Sequence, residues 1–358
     1  MKIVQVLPTL SYGDAIGNHA IVLKRLIESM RFETAIYAEN IDKRIPKGSG
    51  LPVENLYRLK ERDVVLYHLS TETKLNGEIG RLNGRKIIQY HNITPPYFFS
   101  KYNLSTKNKM AQGLEEARCL ADRVEYCLAD SEFNKAELRK LGYKQEIEVM
   151  PILIDFTDYD QKASDTILKR CHGGKVNIVF VGRIAPNKKQ EDIIKAFFYY
   201  KKFMNPESRL FLVGSYLGME RYYERLKAYV NKLELEDVYF TGHVLFNEIL
   251  AYYKTADLFI CMSEHEGFCV PLIEAMYFKV PIIAYDSSAV RETLGEGGIL
   301  LREKKPKQTA LWMKRLLEDK QLRNYVMEKQ AQRLADFEYE RVAESYRRYL
   351  MRLVGEEN

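Results

Sequence analysis

Two carboxylates with seven residues between them, Glu266 and Glu274, flank a glycine turn and a proline-led helix start within Ser263-Glu264-His265-Glu266-Gly267-Phe268-Cys269-Val270-Pro271-Leu272-Ile273-Glu274-Ala275-Met276. The apolar run Leu258-Phe259-Ile260 precedes them, so the order reads strand, turn, helix. Pro271 suits the first helical position, where a missing N–H costs nothing. The amides of Gly267, Phe268, Cys269 and Val270 then sit just before or at a helix N-terminus, where free donors and the helix dipole favour a phosphate. A carboxylate able to accept sugar hydroxyls beside a phosphate cradle suits a nucleotide-sugar ligand. Acidic residues near a helix start can equally serve the dipole alone, so the rest of the chain must decide.

A second constellation follows the apolar strand Ile178 to Val181. Gly182 permits a tight turn, and Arg183 and Lys188 project beyond the strand's carboxyl end. Arginine offers a planar fork to phosphate oxygens and lysine a mobile point charge; a solvated basic turn is the plainer alternative. Earlier in the chain His91 ends the strand Lys86 to Tyr90 and opens the loop Asn92-Ile93-Thr94-Pro95-Pro96. Most single histidines are structural, but a strand-end place before such a loop points to a ligand. The loop from Leu10 to His19 holds Gly13 and Gly17, which allow close backbone approach, and Asp14, Asn18 and His19, which could read a hydroxyl. Asp14 or Asn18 could instead cap the next helix. Asp130-Ser131-Glu132 reads as a helix cap. Asp158-Tyr159-Asp160 has the spelling of a metal-binding pair but no strand before it, so no metal site is expected.

These residues need a scaffold. Candidate strands at Ile3–Leu7, Thr34–Ala38, Val64–His68, Lys86–Tyr90, Tyr126–Ala129 and Glu146–Met150 alternate with amphipathic stretches such as His19–Met30 and Lys109–Ala121, which predicts βαβ units and a parallel sheet. The pattern lapses over 151–165, an expected linker. It resumes with strands at Asn177–Val181, Arg209–Val213, Val238–Phe240, Leu258–Cys261 and Pro281–Tyr285. We therefore expect an α/β protein of two Rossmann-like doubly wound domains facing each other across a cleft: residues 1–155, residues 156–335, and a final helix within 336–358 that packs back on the first domain. Ligands of such sheets bind beyond the carboxyl ends of the strands.

Composition agrees with a globular chain. It has 358 residues, 46% apolar and 29% charged, and a net charge of +6, and a length of this order favours two domains. No run of eighteen apolar residues occurs, and the N-terminal apolar run is too short for a signal peptide. Five dispersed cysteines argue against a disulfide framework or structural zinc, and for a cytoplasmic setting. The charge is too mild to demand nucleic acid, and no nucleic-acid-binding signature is present. Lys101, Lys107 and Lys109 lie near Tyr97, Phe98, Phe99 and Tyr102, a segment that could rest on an anionic membrane surface or be a solvated loop over a core edge.

Gly182-Arg183 with Lys188, Thr241-Gly242-His243-Val244, and Glu266-Gly267-Phe268 with Pro271-Leu272 and Glu274-Ala275 together resemble the second domain of retaining, nucleotide-sugar-dependent glycosyltransferases of family 4, which have the GT-B fold. The resemblance covers essentially the whole chain, and Glu264 to Met276 is its most specific motif. It implies that Arg183 and Lys188 hold the donor diphosphate with the backbone of Gly267, Phe268, Cys269 and Val270. It implies that His91 and Glu266 are the catalytic residues, Glu266 bonding the sugar hydroxyls and His91 lying near the transferred sugar, that Glu274 bonds the ribose, and that Val244 flanks the base. Gly13, Asp14 and Asn18 would serve the acceptor or sugar, although a Gly-Gly pair common in the family is missing there. The implied reaction moves a hexose from a UDP-, GDP- or dTDP-linked sugar to a glycan or lipid-linked hydroxyl in cell-surface polysaccharide synthesis, with no metal or other cofactor. A non-catalytic nucleotide-sugar or glycan-binding module and a glycoside hydrolase are the alternatives. A hydrolase also needs two carboxylates, but would leave Arg183 and Lys188 without a task.

Overall fold

The structure, a computed structural model, describes residues 1–11 and 13–355, the side chains of Tyr57 and Arg58 excepted. Tyr12 of the glycine-containing loop lies outside the described residues. The chain forms two compact units: Met1–Pro96 with Asn108–Phe156 and Phe337–Asn358, and Tyr97–Lys107 with Thr157–Asp336.

In the first unit, seven strands form one sheet: β1 (Lys2–Leu10), β2 (Glu33–Ile41), β3 (Leu51–Pro52), β4 (Val64–Leu69), β5 (Arg85–Tyr90), β6 (Tyr126–Ala129) and β7 (Ile147–Val149). Their order is β3-β2-β1-β4-β5-β6-β7, and every pairing is parallel. All six residues of β4 are buried, as the centre of a sheet covered on both faces requires. Helices α1 (Ala15–Ser29), α2 (Lys74–Glu78), α3 (Leu104–Leu120) and α4 (Glu132–Lys140) connect the strands.

The second unit repeats this plan. It contains α5 (Asp165–Cys171), β8 (Val176–Val181), α6 (Gln190–Phe203), β9 (Ser208–Val213), α7 (Glu220–Lys232), β10 (Val238–Gly242) and α8 (Phe246–Thr255). Then follow β11 (Leu258–Cys261), α9 (Val270–Tyr277), β12 (Ile282–Tyr285), α10 (Val290–Leu294), β13 (Ile299–Leu301), α11 (Pro306–Glu318) and α12 (Lys320–Leu334). The strand order is β10-β9-β8-β11-β12-β13, the doubly wound order in which connections run one way from β8 and the other way from β11. The loops leaving β8 and β11 therefore part at the switch point, the natural ligand crevice of such a sheet.

The last helix, α13 (Tyr339–Gly355), belongs to the first unit. Its Tyr346, Tyr349, Leu350 and Leu353 pack with Ile3, Val64, Leu66, Ile87 and Leu128 in one buried cluster. Each such side chain contributes roughly 1.5–3 kcal/mol, so α13 is part of the first unit's core.

Several local features differ from expectation. The short edge strands β3 and β13 were not foreseen, and α3 starts at Leu104, earlier than the periodicity suggests. The stretch expected to be a featureless linker holds a 3-10 turn, Phe156–Asp160, that buries Tyr159. Residues 97–107 group with the second unit: Asn103 Nδ2 donates to the Gly218 carbonyl at 2.7 Å, and the Tyr102 ring meets Tyr222 edge-on at 5.0 Å. Phe98 and Phe99 of that segment are buried, whereas Tyr97 and Leu104 are exposed. No described helix is long and apolar enough to cross a membrane.

Candidate active site

In the second unit, the loops after β8 and β11 are tied to each other. The Glu264 amide donates to the Asn187 carbonyl at 2.8 Å, and Asn187 Nδ2 donates to the His265 carbonyl at 3.1 Å. The turn after β8 is set against the end of β9. Gly182 N–H donates to Val213 and Ile184 N–H to Ser215, both at 2.9 Å. Gly214 makes this approach possible: a Cβ there would lie 2.1 Å from the Gly182 carbonyl oxygen, and its φ is +147°.

The loop after β11 is also held from its other side. Ser287 Oγ donates to the Ser263 carbonyl at 2.6 Å, Ser288 Oγ accepts from the Glu266 amide at 2.8 Å, and Thr293 Oγ1 donates to the Phe268 carbonyl. Cys269 is the N-cap of α9 with a left-handed backbone, φ 76°. A non-glycine residue in that region carries strain of the kind that concentrates at functional loops. The turn starts α9 at Val270 and places Pro271 in its first turn.

These anchors bring Lys188 and Glu266 together. Lys188 Nζ donates to Glu266 Oε2 at 2.5 Å, with the side chains 22% and 9% exposed. Burial would lower the Lys188 pKa, but the Glu266 carboxylate outweighs it and holds the ammonium above its ordinary value. Arg183, on the same β8 loop, is exposed and donates from Nη2 to the Leu217 carbonyl at 3.3 Å. Glu264, two residues before Glu266, has a different place: it pairs with Lys189 at 3.1 Å and Lys304 at 2.8 Å.

Glu274 lies on α9 away from any such cation pair. Tyr253 donates to its Oε2 at 2.7 Å and Tyr159 to its Oε1 at 3.1 Å. Burial raises its pKa above the carboxylate value, and the two hydroxyls only partly offset that. Val244 is half-buried in the loop between β10 and α8. Tyr159 and Tyr253 were not singled out in sequence: Tyr159 sits inside the Asp-Tyr-Asp spelling, where the acids drew attention. Asn187, Ser288 and Gly214 were missed as well, and only Gly214, directly after a strand, left a signal.

The strand ends of the first unit look different. Asp14 caps α1, accepting from the Gly17 amide at 2.6 Å, and burial raises its pKa. Gly13 is exposed with φ +76°, and Asn18 is exposed. His19, expected to face a ligand, is fully buried instead, because it sits on the sheet-facing side of α1. His91 is likewise internal. Its side chain is 1% exposed, Nδ1 lies 2.7 Å from Asp130 Oδ2 and Nε2 lies 2.7 Å from His68 Nδ1. Asp130, read as part of a cap, thus holds His91, while its neighbour Ser131 caps α4.

Backbone groups fix the polarity of this network. The Ala20 carbonyl can only accept, so Gln5 gives it an N–H at 2.9 Å and turns Oε1 to His68 Nε2 at 3.0 Å. His68 therefore carries its proton on Nε2 and accepts at Nδ1 from His91. At the other end the Leu153 amide donates to His19 Nδ1 at 3.0 Å, so His19 Nε2 donates to Gln89 Oε1 at 3.1 Å. Gln89 then donates to Asp130 at 3.1 Å and to the Tyr346 hydroxyl of α13 at 2.8 Å. Burial holds His19 down at about 4 and His68 well below the histidine range. The ring nitrogens of His91 are both committed within the protein.

Residues 161–333 match the family described as Glycosyl transferases group 1. An uncharacterised glycosyltransferase of Methanocaldococcus jannaschii is 25% identical over 93% of this chain and 93% of its own length. A GDP-mannose-dependent alpha-mannosyltransferase of Mycobacterium tuberculosis is 27% identical over 68% of this chain and 62% of its own. Among solved structures, HepE of Anabaena in complex with UDP-glucose superposes with a TM-score of 0.77 at 18% identity, covering 98% of this chain and all of that one, which establishes the shared GT-B fold. The matched segment contains both loops at the switch point of the second sheet, so residues 161–333 are those of a group 1 glycosyltransferase domain.

Proposed function

We propose that this glycosyltransferase moves a hexose from a nucleoside diphosphate sugar to an acceptor hydroxyl with retention of configuration. The observation that carries this reading is the Lys188–Glu266 ion pair, at the switch point of the second sheet beside the N-terminus of α9. In the free protein Glu266 holds Lys188. An arriving diphosphate offers Lys188 a stronger partner and frees Glu266 to accept hydroxyls of the donor sugar. Arg183 and the amides of Gly267 to Val270 complete the diphosphate site. As the glycosidic bond breaks, negative charge grows on the diphosphate, and these groups bind it best at that moment. A diphosphate oxygen takes the acceptor proton. Lys188 and Arg183 supply the positive charge, so the reaction proceeds without a divalent metal.

Glu274 reads the ribose hydroxyls, exchanging tyrosine donors for ribose donors, and Val244 flanks the base. His91 acts as a positioning residue for the strand-end turn of the first unit, and Gly13, Asp14 and Asn18 lie on the loop assigned to acceptor or sugar. The known complexes and relatives span UDP-glucose and GDP-mannose chemistry, which leaves the base to experiment. A glycan or lipid-linked acceptor of polysaccharide synthesis on the cytoplasmic face of a membrane fits the exposed Tyr97 and Leu104 beside Lys101.

A thermal-shift screen of UDP, GDP and dTDP sugars, followed by transfer assays with and without a chelator, tests this. One donor should raise the melting temperature by mass action and support transfer unchanged by the chelator. Binding without turnover on any acceptor would favour a non-catalytic module. Release of free sugar as the main product would favour hydrolysis.

A further inference from the structure

Beneath the phosphate-side loop lie two thiols that glycosyl transfer does not use, beside a carboxylate that it does. Cys261 ends β11 and Cys269 caps α9, and both are buried within one apolar cluster. Their Sγ atoms and a carboxylate oxygen of Glu266 all lie within 4.8 Å of one another. Ligands around a tetrahedral thiolate-bound ion at about 2.3 Å stand about 3.8 Å apart, so small side-chain rotations suffice. The Cys269 backbone is left-handed, a position glycine would occupy without strain; here it carries a thiol aimed at the thiol of Cys261.

We propose that Cys261, Cys269 and Glu266 form a binding site for one thiophilic divalent cation, Zn2+ or Cd2+, and that its occupation excludes the nucleotide sugar. Two thiolates select soft metals over magnesium or calcium. Charge is conserved locally. Before binding, two neutral thiols accompany the Glu266 carboxylate and the Lys188 ammonium. On binding, two protons leave to solvent, and the ion's two positive charges balance the two thiolates, with Lys188 still balancing Glu266. The burial that would penalise a net charge thus does not forbid the ion. Three protein ligands leave a fourth position for water. The site stands on the three donor groups alone. Exclusion of the donor rests on the function proposed above: with the metal on one Glu266 oxygen and Lys188 kept on the other, the carboxylate and the ammonium are both withdrawn from the nucleotide sugar.

The reduced, metal-free full chain would be titrated with Cd2+ while the thiolate-to-cadmium charge-transfer absorption is read. The band should saturate at one equivalent, disappear in Cys261→Ser and in Cys269→Ser, weaken in Glu266→Gln by about tenfold or more in affinity, and persist in Cys119→Ser, whose thiol is exposed. Since either buried serine could unfold the chain, mass-mapped alkylation of the wild-type protein supplies a second reading: Cd2+ should protect Cys261 and Cys269 together. No band, a band that survives Cys261→Ser in folded protein, or protection of Cys119 alone overturns the site. With the site occupied, the nucleotide sugar should bind at least about tenfold more weakly and recover on chelation. Tight metal binding with unchanged donor affinity would leave the site standing and overturn the exclusion, and with it the sugar-reading role of Glu266.

Discussion

The two sheets handle polar groups at their strand ends in opposite ways. In the first unit, Gln5, His19, His68, Gln89, His91 and Asp130 turn inward and spend their hydrogen bonds on one another, anchored by the Ala20 carbonyl and the Leu153 amide. In the second, Lys188 and Glu266 meet in a single contact at the loop ends, and Glu274 is met by two hydroxyls rather than a cation. A closed network rigidifies a frame and is costly to breach. A single pair beside a helix N-terminus can be exchanged for a ligand. The same doubly wound plan has thus produced a frame in one unit and, in the function proposed above, an exchangeable binding edge in the other.

The sharpest way to break this contrast is His91→Ala. It removes one of the two buried hydrogen-bond partners of Asp130, leaving Gln89, and a buried carboxylate so deprived costs about 3 kcal/mol. Hydrogen exchange should show the first unit loosened while nucleotide affinity stays within about threefold. A large loss of affinity in folded protein would mean that the network is part of the donor site.

Acid should separate the units next. His19 is held at about 4, so the unfolded chain binds its proton first. Its stabilising contribution is present above the ordinary histidine value of 6.5 and is lost as pH falls from there through 4, on the order of 3 kcal/mol. His68 adds to the loss in the same direction. Amide exchange measured between pH 7 and 4 should open the first unit before the second, and equal opening would remove the distinction.

Lys188→Ala should weaken binding of a nucleoside diphosphate by about 10–100-fold, the loss of one charged hydrogen bond of about 1.5–3 kcal/mol. Titration calorimetry on the folded variant checks it. Glu274→Gln should have the smallest effect, about tenfold in nucleotide affinity, with apo stability unchanged or higher at neutral pH. The Glu274 carboxyl is raised above 4.5, so the folded chain holds that proton longer than the unfolded one. Wild-type stability therefore falls as pH rises from 4.5 through the raised value, and the glutamine variant should flatten that slope in melting curves.

The second sheet was legible because its chemistry follows strands directly. Leu258–Cys261 is the observed β11 to the residue, and Gly182, Arg183, Lys188 and Glu266 fall on the two loops of the switch point. What sequence could not show were the partners brought from afar. Tyr159 reaches Glu274 across 115 positions, and Tyr346 reaches Gln89 across 257. His19 and His91 look like any ligand-facing histidine in sequence, and only the packing of α1 on the sheet and the contacts of His91 with His68 and Asp130 beyond the end of β5 turn them inward. Glu264 and Glu266 differ by two positions, yet Lys304 commits the first to a surface ion network and leaves the second to Lys188.

The central claim is that Lys188 changes partners, from Glu266 in the free protein to the diphosphate in the complex. It is tested most directly by titrating Glu266→Ala with the free nucleoside diphosphate and with its intact sugar donor in parallel. The exchange predicts that the free nucleotide binds as well as to the wild type or more tightly, since Lys188 is released, while donor affinity falls about tenfold or more for the lost sugar contact. Equal loss of both ligands, or full retention of the donor, would contradict it.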